Sequence, residues 1–180
     1  MTQTDGCPLL KRSWKWDALI LILVQIGLGV PYLSTVPRVY NDDVWEASLG
    51  HSLAHEGVLR HGIIEGWGGM HVRFVQNQVV QPLVLGAAYS LCGFSLFVSR
   101  FPSVLAGAAS LLAFYAVIRT LFDRRSALIV GLLTAIHPWF FEIARRVRPD
   151  IFVVALAFAG LWLWIRAIEK GGRIQPFGAG

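Results

Sequence analysis

The chain has 180 residues, 55% of them hydrophobic and 15% charged, with a mean hydropathy of +0.56. A soluble domain carries about a quarter charged residues, so lipid is the expected solvent and an ordinary aqueous fold is excluded. The net charge of +5 lies at the ends of apolar runs rather than in one stripe, which argues against nucleic acid as a partner and for charge that sets membrane topology.

The only cysteines are Cys7 and Cys92, too few for a disulfide framework or a Cys-rich metal site. Lys11, Arg12 and Lys15 precede an apolar run over residues 18–36. That run is long for a signal sequence and no small-residue cleavage site follows it, so it reads as an uncleaved first span after a cytoplasmic segment 1–17. Residues 37–78 then form a long connection holding four of the five histidines, and a loop of that length in a compact domain is usually functional.

Spanning hydrocarbon takes roughly 20 apolar helical residues. Besides 18–36, the stretches 79–98, 101–118 and 126–141 approach that length, and 151–165 is shorter but uncharged. If 79–98 lies along the outer surface, Arg119, Arg124, Arg125, Arg166, Lys170 and Arg173 join the N-terminal cations inside, as the positive-inside rule prefers. Gln81, Pro82, Gly86, Ser90 and Gly93 also make it a poor lipid-facing helix. The expected fold is therefore an all-α membrane protein. It is a polytopic helical bundle of about four transmembrane helices over residues 18–168, with interfacial helices in an external loop 37–100 and a Gly-rich tail 169–180. Ser103 and Gly107, then Ala106 and Ser110, have the small-xxx-small spacing of close helix packing. Pro138 is placed to kink the 126–141 stretch, and His137 reads as a packed or capping residue.

Just past the first span, Tyr40-Asn41-Asp42-Asp43-Val44-Trp45-Glu46 sets two carboxylates ahead of an expected amphipathic helix over 47–56. Asn41 or Asp42 can cap that helix, with Asp43 and Glu46 favouring its positive end; alternatively, one carboxylate is a general base in a cavity at the lipid boundary. His51 and His55 could share a metal with His61 or His71, but the intervening Ser52-Leu53-Ala54 lacks the glutamate of H-E-x-x-H. Interfacial histidines, with no metal and no other cofactor, are expected.

Between the last two stretches lies Glu142, then Arg145-Arg146-Val147-Arg148-Pro149-Asp150. Glu142 can pair with Arg145 and Arg146 on a helix, and Asp150 suits a helix start. Three arginines in a short external loop still imply anionic partners, and the guanidinium fork suits phosphate oxygens. Arg100 faces the same side. Acids Asp42, Asp43 and Asp150 beside phosphate-binding candidates Arg100, Arg145 and Arg148 suit transfer from a polyprenyl phosphate. One carboxylate takes the proton of an acceptor hydroxyl as its oxygen attacks the anomeric carbon, and arginines stabilise the leaving phosphate. No P-loop or G-x-G-x-x-G is present.

The ordered set Asp42-Asp43-Val44-Trp45-Glu46-Ala47, a Pro-containing apolar stretch, Arg100-Phe101-Pro102-Ser103-Val104-Leu105-Ala106-Gly107, Arg119-Thr120-Leu121-Phe122 and Ala144-Arg145-Arg146-Val147-Arg148-Pro149-Asp150 resembles the N-terminal half of lipid-phosphate-dependent glycosyltransferases of the GT-C fold. Protein O-mannosyltransferases and bacterial aminoarabinose transferases are the nearest in kind. The resemblance implies an inverting transferase in the cell membrane, with a polyprenyl-phosphate-linked sugar as donor, membrane lipid around it, and a glycan, lipid or protein acceptor. It assigns the catalytic or acceptor-orienting role to Asp42, places Asp43 where the family often has Glu, gives Arg100 to the lipid phosphate and makes Asp150 a second cavity acid. It also implies that 79–98 lies on the external surface. Gln81-Pro82 departs from the family's Pro-Pro or Lys-Pro pair, and relatives continue through further spans beyond the position of Gly180. A non-catalytic subunit or lipid-binding module on the same scaffold is the alternative. A small transporter would need buried ionisable residues along the spans.

Overall fold

The computed structural model describes residues 8–63, 68–69, 71–72 and 78–169. The Gly-rich stretch 171–180 and the first seven residues lie outside the described residues. Those described form seven helices and no strand: α1 (Pro8–Gly29), α2 (Asn41–Glu56), α3 (Val80–Cys92), α4 (Leu96–Leu121), α5 (Arg124–Ile136), α6 (Pro138–Ile143) and α7 (Asp150–Glu169). By length and composition, α4 and α7 are apolar enough to cross a membrane.

Polar contacts fix which helix ends meet. Asp17 of α1 accepts from Arg124 at the start of α5 and from Tyr115 in the last third of α4. Trp14 shares a cavity with Arg119 of α4 and with Trp162 and Arg166 of α7. At the opposite end, Arg100 near the start of α4 donates to the Leu33 carbonyl, and Arg145 ahead of α7 donates to the Pro31 carbonyl. Hence α1 and α5 run one way, and α4 and α7 the other.

The small residues of α4 explain its packing. Ser103, Ala106 and Ser110 are buried, and the Ser110 hydroxyl reaches both its own Ala106 carbonyl at 2.8 Å and the Ile151 carbonyl of α7 at 3.2 Å. A Cβ on Gly107 would stand 2.8 Å from Gln25 Nε2 of α1 and 2.9 Å from the Ala144 Cβ. Only glycine lets three segments converge there, the close approach that drives helix association in lipid.

The apolar helix α3 is short. Its 13 residues reach about 20 Å at 1.5 Å per residue, short of the roughly 30 Å of a hydrocarbon core. The chain leaves it at Gly93, whose φ of 76° is one that L side chains avoid. Ser95 then caps α4, accepting from the Val98 amide at 3.2 Å. Two glycines seat α3 on α2: a Cβ on Gly50 would meet Leu85 Cβ at 2.5 Å, and one on Gly86 would meet Leu53 Cδ2 at 2.7 Å.

Several expected boundaries shift. The first helix ends at Gly29 rather than 36, and residues 31–35 form turns. The 79–98 stretch is not one helix, since Gly93 separates α3 from α4, and α4 begins five residues before 101. Pro138 breaks rather than kinks its stretch: His137 is extended (φ −65°, ψ 127°) and Pro138 starts α6, as the restriction on a residue before proline requires. α2 starts at Asn41, not 47, and its buried side includes Asp43, Glu46, Ser48 and Ser52 as well as Leu49. It is not amphipathic in the expected sense, because small and polar side chains let α3 and the 145–149 turn approach it closely.

Candidate active site

Tyr40 is the N-cap of α2, so Asn41, Asp42 and Asp43 occupy its first turn. Neither Asn41 nor Asp42 is the cap; Asp43 instead reaches back, its Oδ2 accepting from the Tyr40 amide at 3.2 Å. Its Oδ1 accepts from the Val147 amide at 3.2 Å, so one carboxylate ties α2 to the 145–149 turn. Arg100 Nη2 stands 3.6 Å and Arg146 Nη1 3.9 Å from the same Oδ2. Asp43 is buried and hemmed in by donors, whereas Asp42 beside it is exposed.

Asp42 faces Arg148, whose Nη1 lies 3.3 Å from its Oδ2. The same guanidinium donates through Nε to Asp150 Oδ2 at 2.8 Å. Arg148 thus brings together Asp42 and Asp150, which are 108 positions apart in the chain. Arg146 donates through Nε to Glu142 Oε1 at 2.9 Å and lies over the Tyr40 ring, 4.5 Å from its centroid. A pocket of about 300 Å³ opens over these groups, walled by Tyr40, Asp42, Asp43, Glu142, Arg146 and Arg148, with Trp139 and Ile143 of α6 as its apolar side.

Arg100 and Arg145 stand behind that wall. Arg100 is completely buried and donates through Nη1 to the Leu33 carbonyl at 3.0 Å. Arg145 is buried over the Phe141 ring, and its Nη2 donates to the Pro31 carbonyl at 2.6 Å. Burial and the neighbouring Arg100 guanidinium push Arg145 below its usual range. Both cations hold the turn after α1 against α4 and the segment ahead of α7, and neither lines the pocket. Gln81 is also buried. In the amide orientation its neighbours require, it accepts from the Arg148 amide at 3.0 Å and donates to Glu46 Oε2 at 3.2 Å. Gln78 donates to that oxygen at 3.0 Å.

A second, apolar cavity of about 600 Å³ lies on the far side of Asp43, bordered by Val44, Ala47, Phe94, Leu96 and Val147. His51 is on its rim, its ring 4.3 Å from that of His55 and 5.4 Å from Phe94. His61 is held elsewhere, against Trp45 at 4.2 Å and with Nδ1 3.2 Å from Ser48 Oγ. Among the described residues no cluster of three or more histidine, cysteine or acidic side chains is arranged to hold a metal.

Sequence reasoning passed over two features. Trp139 was legible only as part of an apolar stretch, and the break at His137-Pro138 is what turns it toward the pocket. Asp17, at the end of the 1–17 segment, is buried and held bidentately by Arg124 at 2.7 and 2.8 Å.

The model of the dolichyl-phosphate-mannose-protein mannosyltransferase family matches residues 78–177, more than half of the chain. The chain belongs to this family. The match runs through α3 to α7, taking in Arg100 and the 145–150 turn, and begins after the acidic pair of α2. The chain is also 30% identical over 96 residues to "Putative mannosyltransferase YkcB" of Bacillus subtilis (strain 168). That alignment covers 53% of this chain and 12% of the relative, so the match spans about an eighth of that protein's length. No solved structure matches. A glycosyltransferase-like membrane protein is what the family and the two apolar helices together establish.

Proposed function

We propose that this chain forms the catalytic-loop portion of an inverting membrane glycosyltransferase that moves a sugar from a polyprenyl-phosphate donor to an acceptor hydroxyl. The observation that carries the reading is the pocket in which the exposed Asp42 faces Arg148, with Arg146 alongside and Trp139 as an apolar wall. Asp42 takes the acceptor's proton as that oxygen bonds to the anomeric carbon. The bond from that carbon to the phosphate oxygen breaks, and the departing phosphate gains a negative charge that Arg148 and Arg146 offset. Asp43 shapes the site by holding the Tyr40 and Val147 amides. Asp150 acts through Arg148, which it orients. Arg100 and Arg145 position the turn that presents Arg146 and Arg148, and meet the phosphate only if the pocket wall opens. Trp139 offers an indole face to a sugar ring, and the apolar cavity beside Asp43 suits the body of a lipid substrate.

The same reading takes α1, α4, the α5–α6 pair and α7 as four membrane crossings, with α2 and α3 at the external surface. The N-terminus is then cytoplasmic in the cell membrane, because Lys15, Arg119, Arg124, Arg125 and Arg166 cluster at that end. Family membership favours mannose as the sugar. The test is transfer of labelled mannose from a short-chain polyprenyl-phosphate mannose by membranes containing the protein, Asp42→Ala or Asp150→Ala. Both variants should lose transfer, and unchanged transfer in both would reject the catalytic assignment.

A further inference from the structure

The apolar cavity of about 600 Å³ on the far side of Asp43 differs from the reacting pocket in charge as well as size. Arg146 and Arg148 line the pocket, whereas among the described residues no lysine or arginine lines the cavity. Its two carboxylates are answered from outside: Arg100 stands 3.6 Å from Asp43, and Arg60 pairs with Glu56. The cavity therefore holds no surplus charge, and an anion buried there would be uncompensated. Its walls include Val39, Val44, Ile63 and Phe94, all exposed, and the Phe94 ring is set edge-on to those of His51 and Tyr89. Exposed apolar surface gathered in this way marks a binding site. One polar group in the wall has no partner. Ser52 is 3% exposed and lines the cavity, and its hydroxyl makes no hydrogen bond to the described residues. A Cβ on Gly62 would stand 3.5 Å from that oxygen, so glycine leaves it uncovered.

We propose that this cavity seats the acceptor, and that the acceptor is an uncharged lipid with a free hydroxyl, of the diacylglycerol kind. Hydrocarbon fills the apolar walls and Ser52 donates to an ester carbonyl. The free hydroxyl reaches Asp42 past Asp43, the side chain that borders both compartments. A polypeptide fits less well, because each residue brings an amide donor and a carbonyl acceptor, against which the wall sets the Ser52 hydroxyl and, at the rim, the His51 ring. The acceptor role rests on the transferase reading, while the lipid site stands on the cavity alone.

Photocross-linking of a diazirine-bearing diacylglycerol to the purified protein in neutral detergent tests the site without needing transfer. Cross-links should fall beside Val44 and Phe94. Unlabelled diacylglycerol should compete at least about ten-fold better than phosphatidylglycerol of the same chain length, which has free hydroxyls but carries a phosphate. Ser52→Ala should weaken competition by about five-fold, as one hydrogen bond contributes, and Val44→Trp should block the cross-link in a protein that melts like wild type. With polyprenyl-phosphate mannose present, the product should be a mannosyl diacylglycerol. Equal competition by phosphatidylglycerol, stronger competition by a serine-containing apolar peptide, or cross-linking untouched by Val44→Trp would each overturn the inference. Mannose transfer to another acceptor without diacylglycerol binding overturns it and leaves the transferase standing. Diacylglycerol binding without transfer to any acceptor overturns the transferase reading and the acceptor role together, and leaves the lipid site.

Discussion

Asp42 and Asp43 are adjacent in sequence, yet the first turn of α2 sends them to opposite tasks. Asp43 is buried and spends both oxygens on the amides of Tyr40 and Val147, while Asp42 is exposed to the pocket and meets the guanidinium of Arg148 at 3.3 Å. Both oxygens of Asp43 are taken by backbone amides, whereas Asp42 is exposed in the pocket, where an acceptor hydroxyl can reach it. The two positions should therefore fail differently when changed.

Asp43→Asn should act mainly on stability. It leaves the fully buried Arg100 without its carboxylate, and breaking a buried ion pair costs about 3–5 kcal/mol. Arg100→Met should cost a similar amount. Thermal melting in detergent should place both variants well below wild type, and a melting temperature within one degree of wild type for either would contradict the role given to the pair.

At the other end, Asp17→Asn removes the charge that holds Arg124 and Arg119 to α1. Because Arg124 is about half-exposed, the loss should be smaller, about 1–2 kcal/mol. Arg124→Gln should reproduce most of it. If the double variant loses the sum of both single losses, the two residues do not act as a pair.

Gly50→Ala should also destabilise. The added Cβ would lie 2.5 Å from Leu85 Cβ, and overpacking of this kind costs about 1–3 kcal/mol. Differential melting of wild type and Gly50→Ala would register the loss, and an unchanged melting temperature would contradict the close approach of α2 and α3.

Acidification should loosen the segment after α2. Burial holds the His61 imidazole below its ordinary value of 6.5. The unfolded chain therefore binds that proton more readily than the folded one, so stability is complete above about pH 6.5 and declines as pH falls through the lower folded value. Protection factors of the amides around Trp45 and His61, taken relative to intrinsic exchange at each pH, should fall below about pH 6.5, and His61→Phe should flatten the dependence. An identical fall in His61→Phe would assign it to another group.

Much of this architecture was legible because it depends on spacing. The stripe of Ser103, Ala106, Gly107 and Ser110 announced the close packing of α4. The direction of a charge was not legible. Arg100, Arg145 and Arg148 look alike in sequence, but only the fold turns the first two toward the Leu33 and Pro31 carbonyls and the third toward the pocket. Asp17 escaped notice for the same reason, since its partners lie about a hundred residues away in the chain. The buried side of α2 was misread because periodicity identifies apolar faces, and this one is built from small and polar groups satisfied by α3 and the 145–149 turn.

The general-base role of Asp42 is the claim on which the account turns. Asp42→Asn keeps the shape of the side chain and removes its basicity, so mannose transfer from a polyprenyl-phosphate donor should fall by about 10²–10⁴-fold in kcat, with the melting temperature close to wild type. Transfer at the wild-type rate by a correctly folded Asp42→Asn protein would contradict it.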